Sequence, residues 1–175
     1  EVEREKIFDG APPSVGGEGV SPPPRERNFY LLKVFSFSQK LELEKYMRKV
    51  RIDSINKSAF IFDGDMGFDA ETIKNNMKKI GAIESNYTTK VQADEGPARS
   101  YWQVEPSTAK SLLNNSSALF GPKFNKEFAQ YAEGDKTASE VLAGKSTKDL
   151  QTLIENDSDL GAAFATAKMI TTFET

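Results

Sequence analysis

The sequence predicts a mainly α fold: a helical domain preceded by an extended N-terminal arm and a small lead segment that could contain a strand. Three observations carry this. Apolar residues from Asp69 onward recur at three- and four-residue spacings, the period of a helix with one buried face. Helix-starting signals (Asp69, Pro106, Ser146 and Ser158) stand in front of these runs. Residues 1–28, by contrast, cluster Pro12-Pro13, Gly16-Gly17 and Pro22-Pro23-Pro24, a composition that cannot build a core and reads as an arm or linker.

Taken in order, Phe29–Ser38 is rich in aromatic and aliphatic side chains and reads as a strand or a buried short segment. Leu41, Leu43, Tyr46, Met47 and Val50 recur as in a short amphipathic helix. Ser58–Phe68 is apolar but broken by Asp63-Gly64-Asp65-Met66-Gly67, so residues 29–68 form a lead segment of uncertain fold. Asp69 then caps a helix in which Ile73, Met77, Ile80 and Glu84 share one face. Gln92–Pro97 is a loop, and Pro106 opens a helix through Leu113. Further helices are expected over Phe124–Ala132, Ala138–Ala143, Lys148–Ile154 and Leu160–Phe173. A Ser146/Asp149 capping box would start the third of these, and Ser158 would cap the last. Residues 69–175 thus read as one helical domain.

Composition narrows the chemistry. The chain has 175 residues, 38% of them hydrophobic, and a net charge of −3, so no positive field invites nucleic acid. No apolar run approaches the roughly 20 residues that a membrane-spanning helix needs. Cysteine and histidine are absent, which removes disulfides, thiol and Ser-His-Asp catalysis, and the usual zinc and iron sites. Catalysis would have to run on carboxylates, Lys, Tyr, Ser or Thr, with no metal and no organic cofactor. The start at Glu1 rather than Met suggests a fragment or a processed product.

Two pieces could carry such chemistry. Glu84 ends its helix on the apolar stripe, directed by periodicity toward the core or a cleft, where desolvation would favour the protonated form a general acid needs. Gly81, one turn earlier, leaves room for a ligand or a neighbouring backbone. The second piece, Gly96–Ala109, gathers Tyr101, the only Trp (Trp102) and Gln103 just before a helix. Aromatic faces and an amide are what a cleft uses to hold sugar rings and their N-acetyl groups.

These two pieces resemble lytic transglycosylases of the lysozyme-like superfamily. That family carries a Glu-Ser pair at a helix end, a glycine-containing loop, and then Gly-Leu-Met-Gln-Val-x-Pro-x-Thr-Ala. Here the pair is Glu84-Ser85, and the later segment reads Ser100-Tyr101-Trp102-Gln103-Val104-Glu105-Pro106-Ser107-Thr108-Ala109. Glu84 and Gln103 are 19 positions apart, close to the family's usual gap. Gly96-Pro97-Ala98-Arg99-x-x-Trp102-Gln103 looks like the phage branch found in virion-associated murein-degrading proteins. The resemblance covers residues 69–175 and leaves 1–60 unexplained. It departs where Ser-Tyr-Trp replaces Gly-Leu-Met, and an Ala-Tyr-Asn-type motif does not occur before Thr175, so the site could be incomplete at its C-terminal side.

The resemblance implies cleavage of peptidoglycan glycan strands between N-acetylmuramic acid and N-acetylglucosamine. Glu84 would serve as acid and then as base, while Ser85, Tyr87, Tyr101, Trp102 and Gln103 would contact substrate. Asp94 or Glu95 would supply the second carboxylate of a hydrolase. It also implies a virion-associated protein acting in the bacterial periplasm or cell wall, the arm attaching to other virion proteins. The alternative reading is a non-catalytic structural or binding module on the same scaffold.

Other motifs are weaker. Gly144-Lys145-Ser146 lacks the earlier glycine of a phosphate loop, because position 139 is Ser. Asp63-x-Asp65-x-Gly67-x-Asp69 has Phe68 and Lys74 where a calcium loop needs Gly and Glu, and reads as a solvated turn.

Overall fold

A computed structural model describes residues 37–85 and 90–173. The arm, residues 29–36 of the expected strand, and Tyr87 lie outside them. The chain divides into two compact units, Glu1–Glu44 and Lys45–Thr175, and only the second is described at length.

The described residues are mainly helical, with no strand among them, only isolated bridges. The helices are α1 (Phe37–Phe62), α2 (Ala70–Ser85), α3 (Pro106–Asn115), α4 (Pro122–Glu127), α5 (Ala138–Gly144), α6 (Thr147–Asn156) and α7 (Ser158–Thr172). Residues 37 and 38 of the expected strand already belong to α1. The short helix expected over 41–50 runs on through residues 58–62 of the apolar stretch as one continuous helix, with 63–68 beyond its end, and from Lys45 on it shares a unit with everything C-terminal to it.

The core is organised around α7. Leu160, Gly161, Ala162, Ala163, Phe164, Ala165, Thr166 and Ala167 are all buried in succession. A helix apolar on every side belongs inside a fold, and its run of Gly and Ala lets neighbouring helices come close. α2, α3 and α6 pack on α7. α1 meets it with small polar residues: Ser58 Oγ donates to the Ala162 carbonyl at 3.2 Å and is hydrogen-bonded to Thr166 Oγ1. At the start of α7, Ser54 Oγ and Lys57 Nζ donate to the two carboxylate oxygens of Asp159 at 2.7 and 2.9 Å. Burial alone would lower the Lys57 pKa, but the Asp159 hydrogen bond and charge leave it raised. Phe62, Phe120, Phe124, Phe128 and Phe164 fill the space beside α7 in an edge-and-tilt chain of rings.

Local signals explain most helix ends. Asp69 accepts the Thr72 N–H at 2.7 Å, as a capping residue should. Pro106 stands in the first turn of α3, and Ser146 caps α6 by accepting the Asp149 N–H at 3.1 Å. The cap of α7 is Asp157 rather than Ser158: its Oδ1 takes the Asp159 and Leu160 N–H groups while Oδ2 accepts the Tyr131 hydroxyl. Asp wins because one carboxylate serves both partners, and Ser158 is buried in the first turn. The helix expected over Phe124–Ala132 breaks at Phe128 (φ −112) into α4 and a 3-10 turn over Ala129–Tyr131. The Asp63–Asp69 segment is a chain reversal, with Gly64 at φ 88 and Asp63 Oδ1 accepting the Ala70 N–H.

Two outcomes follow. Ala163→Leu adds bulk to α7 where no face is open, so chemical denaturation should show a loss of about 1–3 kcal/mol. The Asp69 carboxyl is held below its ordinary range, chiefly by the Thr72 N–H. Its capping contribution is therefore present above the unfolded carboxylate pKa and lost as pH falls through the folded one. The stability gap between wild type and Asp69→Asn, followed by Tm from pH 6 to pH 2, should shrink toward acid.

Candidate active site

The two motif pieces meet at the end of α2. The Arg99–Val104 turn is closed by a reciprocal backbone pair, Arg99 N–H to the Val104 carbonyl at 2.9 Å and Val104 N–H to the Arg99 carbonyl at 2.7 Å. Inside it, Ser100 and Gln103 hold left-handed backbone (φ 71 and 50), conformations that cost about 1–3 kcal/mol each in non-glycine residues and persist only when surroundings impose them. The imposition is visible on three sides. A Cβ built on Gly161 of α7 would lie 2.5 Å from Ser100 Cβ, so only glycine lets the turn come so close to the central helix. Trp102 Nε1 donates to the Met77 carbonyl of α2 at 3.0 Å. Ser85 Oγ donates to the Tyr101 carbonyl at 2.6 Å, joining the Glu84-Ser85 pair to the turn.

The preceding loop is tied down as well. Arg99 Nε donates to Glu155 Oε2 at 2.8 Å, its guanidinium reaches the Gly96 and Ala98 carbonyls, and Gln151 donates to the Pro97 carbonyl. Tyr101 carries a cation at its ring on two accounts, the Arg51 guanidinium 5.7 Å and the Lys90 ammonium 5.3 Å from its centroid. Burial raises the Tyr101 pKa, with the Arg51 charge opposing. Burial lowers that of Lys90, against the pull of Asp157 and Glu155.

Several expected placements change. Glu84 is exposed, as are Ala82 and Ile83, so periodicity misled about its surroundings. The buried line of α2 runs through Ile73, Met77, Gly81 and Ser85, and Glu84 lies one position to its side, next to the half-buried Ile80. No ion pair engages Glu84 among the described residues. Tyr101 and Trp102, expected to face sugar, are interior, 6% and 3% exposed, and pack edge-to-face on each other. Ser85, also expected at substrate, is buried with its hydroxyl spent on the turn. Gln103 is half-buried, and its amide nitrogen folds back onto the Ser100 carbonyl at 2.8 Å. Asp94 and Glu95 are exposed on a 3-10 turn, both with positive φ.

Sequence reasoning missed Gly161, Arg51 and Lys90. Glycine in an alanine-rich helix was the one available signal for the first. Two cations in polar surroundings offered none, since only tertiary contact brings them to Tyr101. No cluster of three or more Asp or Glu able to hold a metal occurs among the described residues. Comparison of the chain with family models, curated proteins and solved structures found no match.

The Gly161–Ser100 contact makes a specific demand. Gly161→Ala should displace the turn and destabilise the chain by about 1–3 kcal/mol. Adding Ser100→Gly, which removes the opposing Cβ and suits the left-handed backbone, should recover part of that loss in a double-mutant cycle read by thermal unfolding.

Proposed function

We propose that the chain cleaves the glycan strand of bacterial peptidoglycan as a virion-associated lytic transglycosylase, with Glu84 as general acid and then base. The observation that carries this reading is the Ser85–Tyr101 hydrogen bond. It brings together the two segments on which the resemblance rests, Glu84-Ser85 and the Gln-Val-x-Pro-x-Thr-Ala stretch from Gln103. The strained pair Ser100 and Gln103 supports it, because backbone strain of this kind concentrates at working sites. An exposed carboxylate is accessible to a glycan.

In this scheme the seated glycan displaces water from Glu84. Glu84 donates its proton to the glycosidic oxygen as the C1–O bond of the muramic residue breaks. The carboxylate then accepts the proton of the muramic C6 hydroxyl, whose oxygen bonds to C1 to close a 1,6-anhydro ring. Gln103, half-buried with its amide nitrogen on the Ser100 carbonyl, would receive an N-acetyl N–H at its side-chain oxygen. Tyr101 and Trp102 support the floor instead of lining it. The arm, residues 1–28, would attach to other virion proteins, and the protein would act in the bacterial periplasm or cell wall. No helix among the described residues is long and apolar enough to cross a membrane.

A second reading, a non-catalytic module that keeps the scaffold, is favoured by the exposure of Glu84 and by the burial of both aromatics that a sugar would need.

Digestion of purified peptidoglycan, with products read by mass spectrometry, separates the two. Wild type should release anhydromuropeptides, and Glu84→Gln should lower the rate at least about 100-fold, the scale of a lost acid–base group. Reducing-end products would make the enzyme a hydrolase and direct attention to Asp94 and Glu95. No product from wild type would favour the module.

A further inference from the structure

We propose that Ser85 is a positioning residue, one that fixes the last turn of α2 and with it the direction of the Glu84 side chain, and that it does not bind substrate. The inference rests on the reading of Glu84 above and deepens it. Ser85 is 8% exposed, so its hydroxyl is not offered to a ligand. Two carbonyls lie within its reach, Gly81 at 3.3 Å and Tyr101 at 2.6 Å. A hydroxyl has one hydrogen, and the shorter contact takes it. The bond therefore links α2 to the turn, where a serine within a helix more often bonds back to its own preceding turn.

The need for the link follows from what surrounds it. Ala82, Ile83 and Glu84 are all exposed, so their side chains add no packing to this turn, and weakly packed helix ends open readily. Met77, one turn below Gly81, is fixed by core packing and by the Trp102 indole. Beyond it, Ile80 still packs against the core and Gly81 is buried, and Ser85 is the last described anchor of the helix. What it is anchored to is rigid. The Tyr101 carbonyl belongs to the reciprocally bonded Arg99–Val104 turn, which Gly161 seats against α7. The line of support runs from the buried central helix through Ser100 and Tyr101 to Ser85, and so to the adjacent Glu84. Catalytic groups lose rate when such supporting contacts loosen, even where substrate binding is retained.

The test compares wild type, Ser85→Ala and Ser85→Thr by amide hydrogen exchange and by steady-state kinetics on peptidoglycan. Ser85→Ala should speed exchange at residues 82–85 by about five- to tenfold, the loss of roughly one hydrogen bond, while amides of α7 stay as protected as in wild type. kcat should fall about 10- to 100-fold with KM within about twofold. Ser85→Thr, which keeps the hydroxyl, should restore much of both. Unchanged exchange at 82–85, an equal rise across the whole chain, or a rise in KM at constant kcat would overturn the inference; the last would return Ser85 to substrate binding. If wild type releases no product, the transglycosylase reading fails, and the exchange arm still decides whether Ser85 fixes this turn.

Discussion

Between Leu160 and Ala167 every residue of α7 is buried, and most of the fold answers to that constraint. A helix buried on all sides must be covered on all sides, so α1, α2, α3 and α6 are arranged around it. Its backbone must also be approached closely if no voids are to remain, so its side chains are small wherever a neighbour crosses. Gly161 is the extreme case, where the neighbour is not a helix but the Ser100 turn.

The same constraint explains the polar residues in the interior. Ser58 and Thr166 face each other where α1 crosses α7, and Ser58 also uses the Ala162 carbonyl. Hydroxyls there satisfy one another without taking the room that a leucine would. At the N-terminus of α7, Asp157 and Asp159 carry negative charge where the helix dipole favours it. Tyr131, Ser54 and Lys57 reach them from other parts of the chain. Burial and these carboxylates push the Tyr131 pKa well above its ordinary value, so the phenol remains a donor throughout the physiological range. The start of α7 is thus tied both to α1 and to the segment after α4.

The candidate site is an outgrowth of this core. Its rigid part is the turn on α7, and its exposed part is the last turn of α2. A hydrogen bond from the Ser85 hydroxyl to the Tyr101 carbonyl joins them. The aromatic pair looks like a sugar platform in the sequence but serves as the packing that keeps turn and helix together, with Arg51 and Lys90 placed against Tyr101. In the proposed reading support is separate from contact: bulky residues hold the frame, and Gln103 and Glu84 would meet the ligand.

The sequence by itself determined the helical class, the α2, α3, α5, α6 and α7 segments, and the caps at Asp69 and Ser146, because these depend on spacing and on groups three or four residues away. It also brought Glu84-Ser85 and the Gln103 segment into one argument. It did not disclose that α1 is a single helix in the core. The buried residues described on α1 are Ser54, Ile55, Ser58, Ala59, Ile61 and Phe62, and serines read as surface until Asp159 and Thr166 are seen opposite them. Nor did it place Glu84 in solvent or Tyr101 and Trp102 inside, since a helical period says which residues share a face and not where the covering core ends. Where that core ends is set by α7, its glycine and the turn seated on it, contacts between residues some 60 positions apart in the chain. Only the tertiary structure decided them, because burial is a property of what lies opposite.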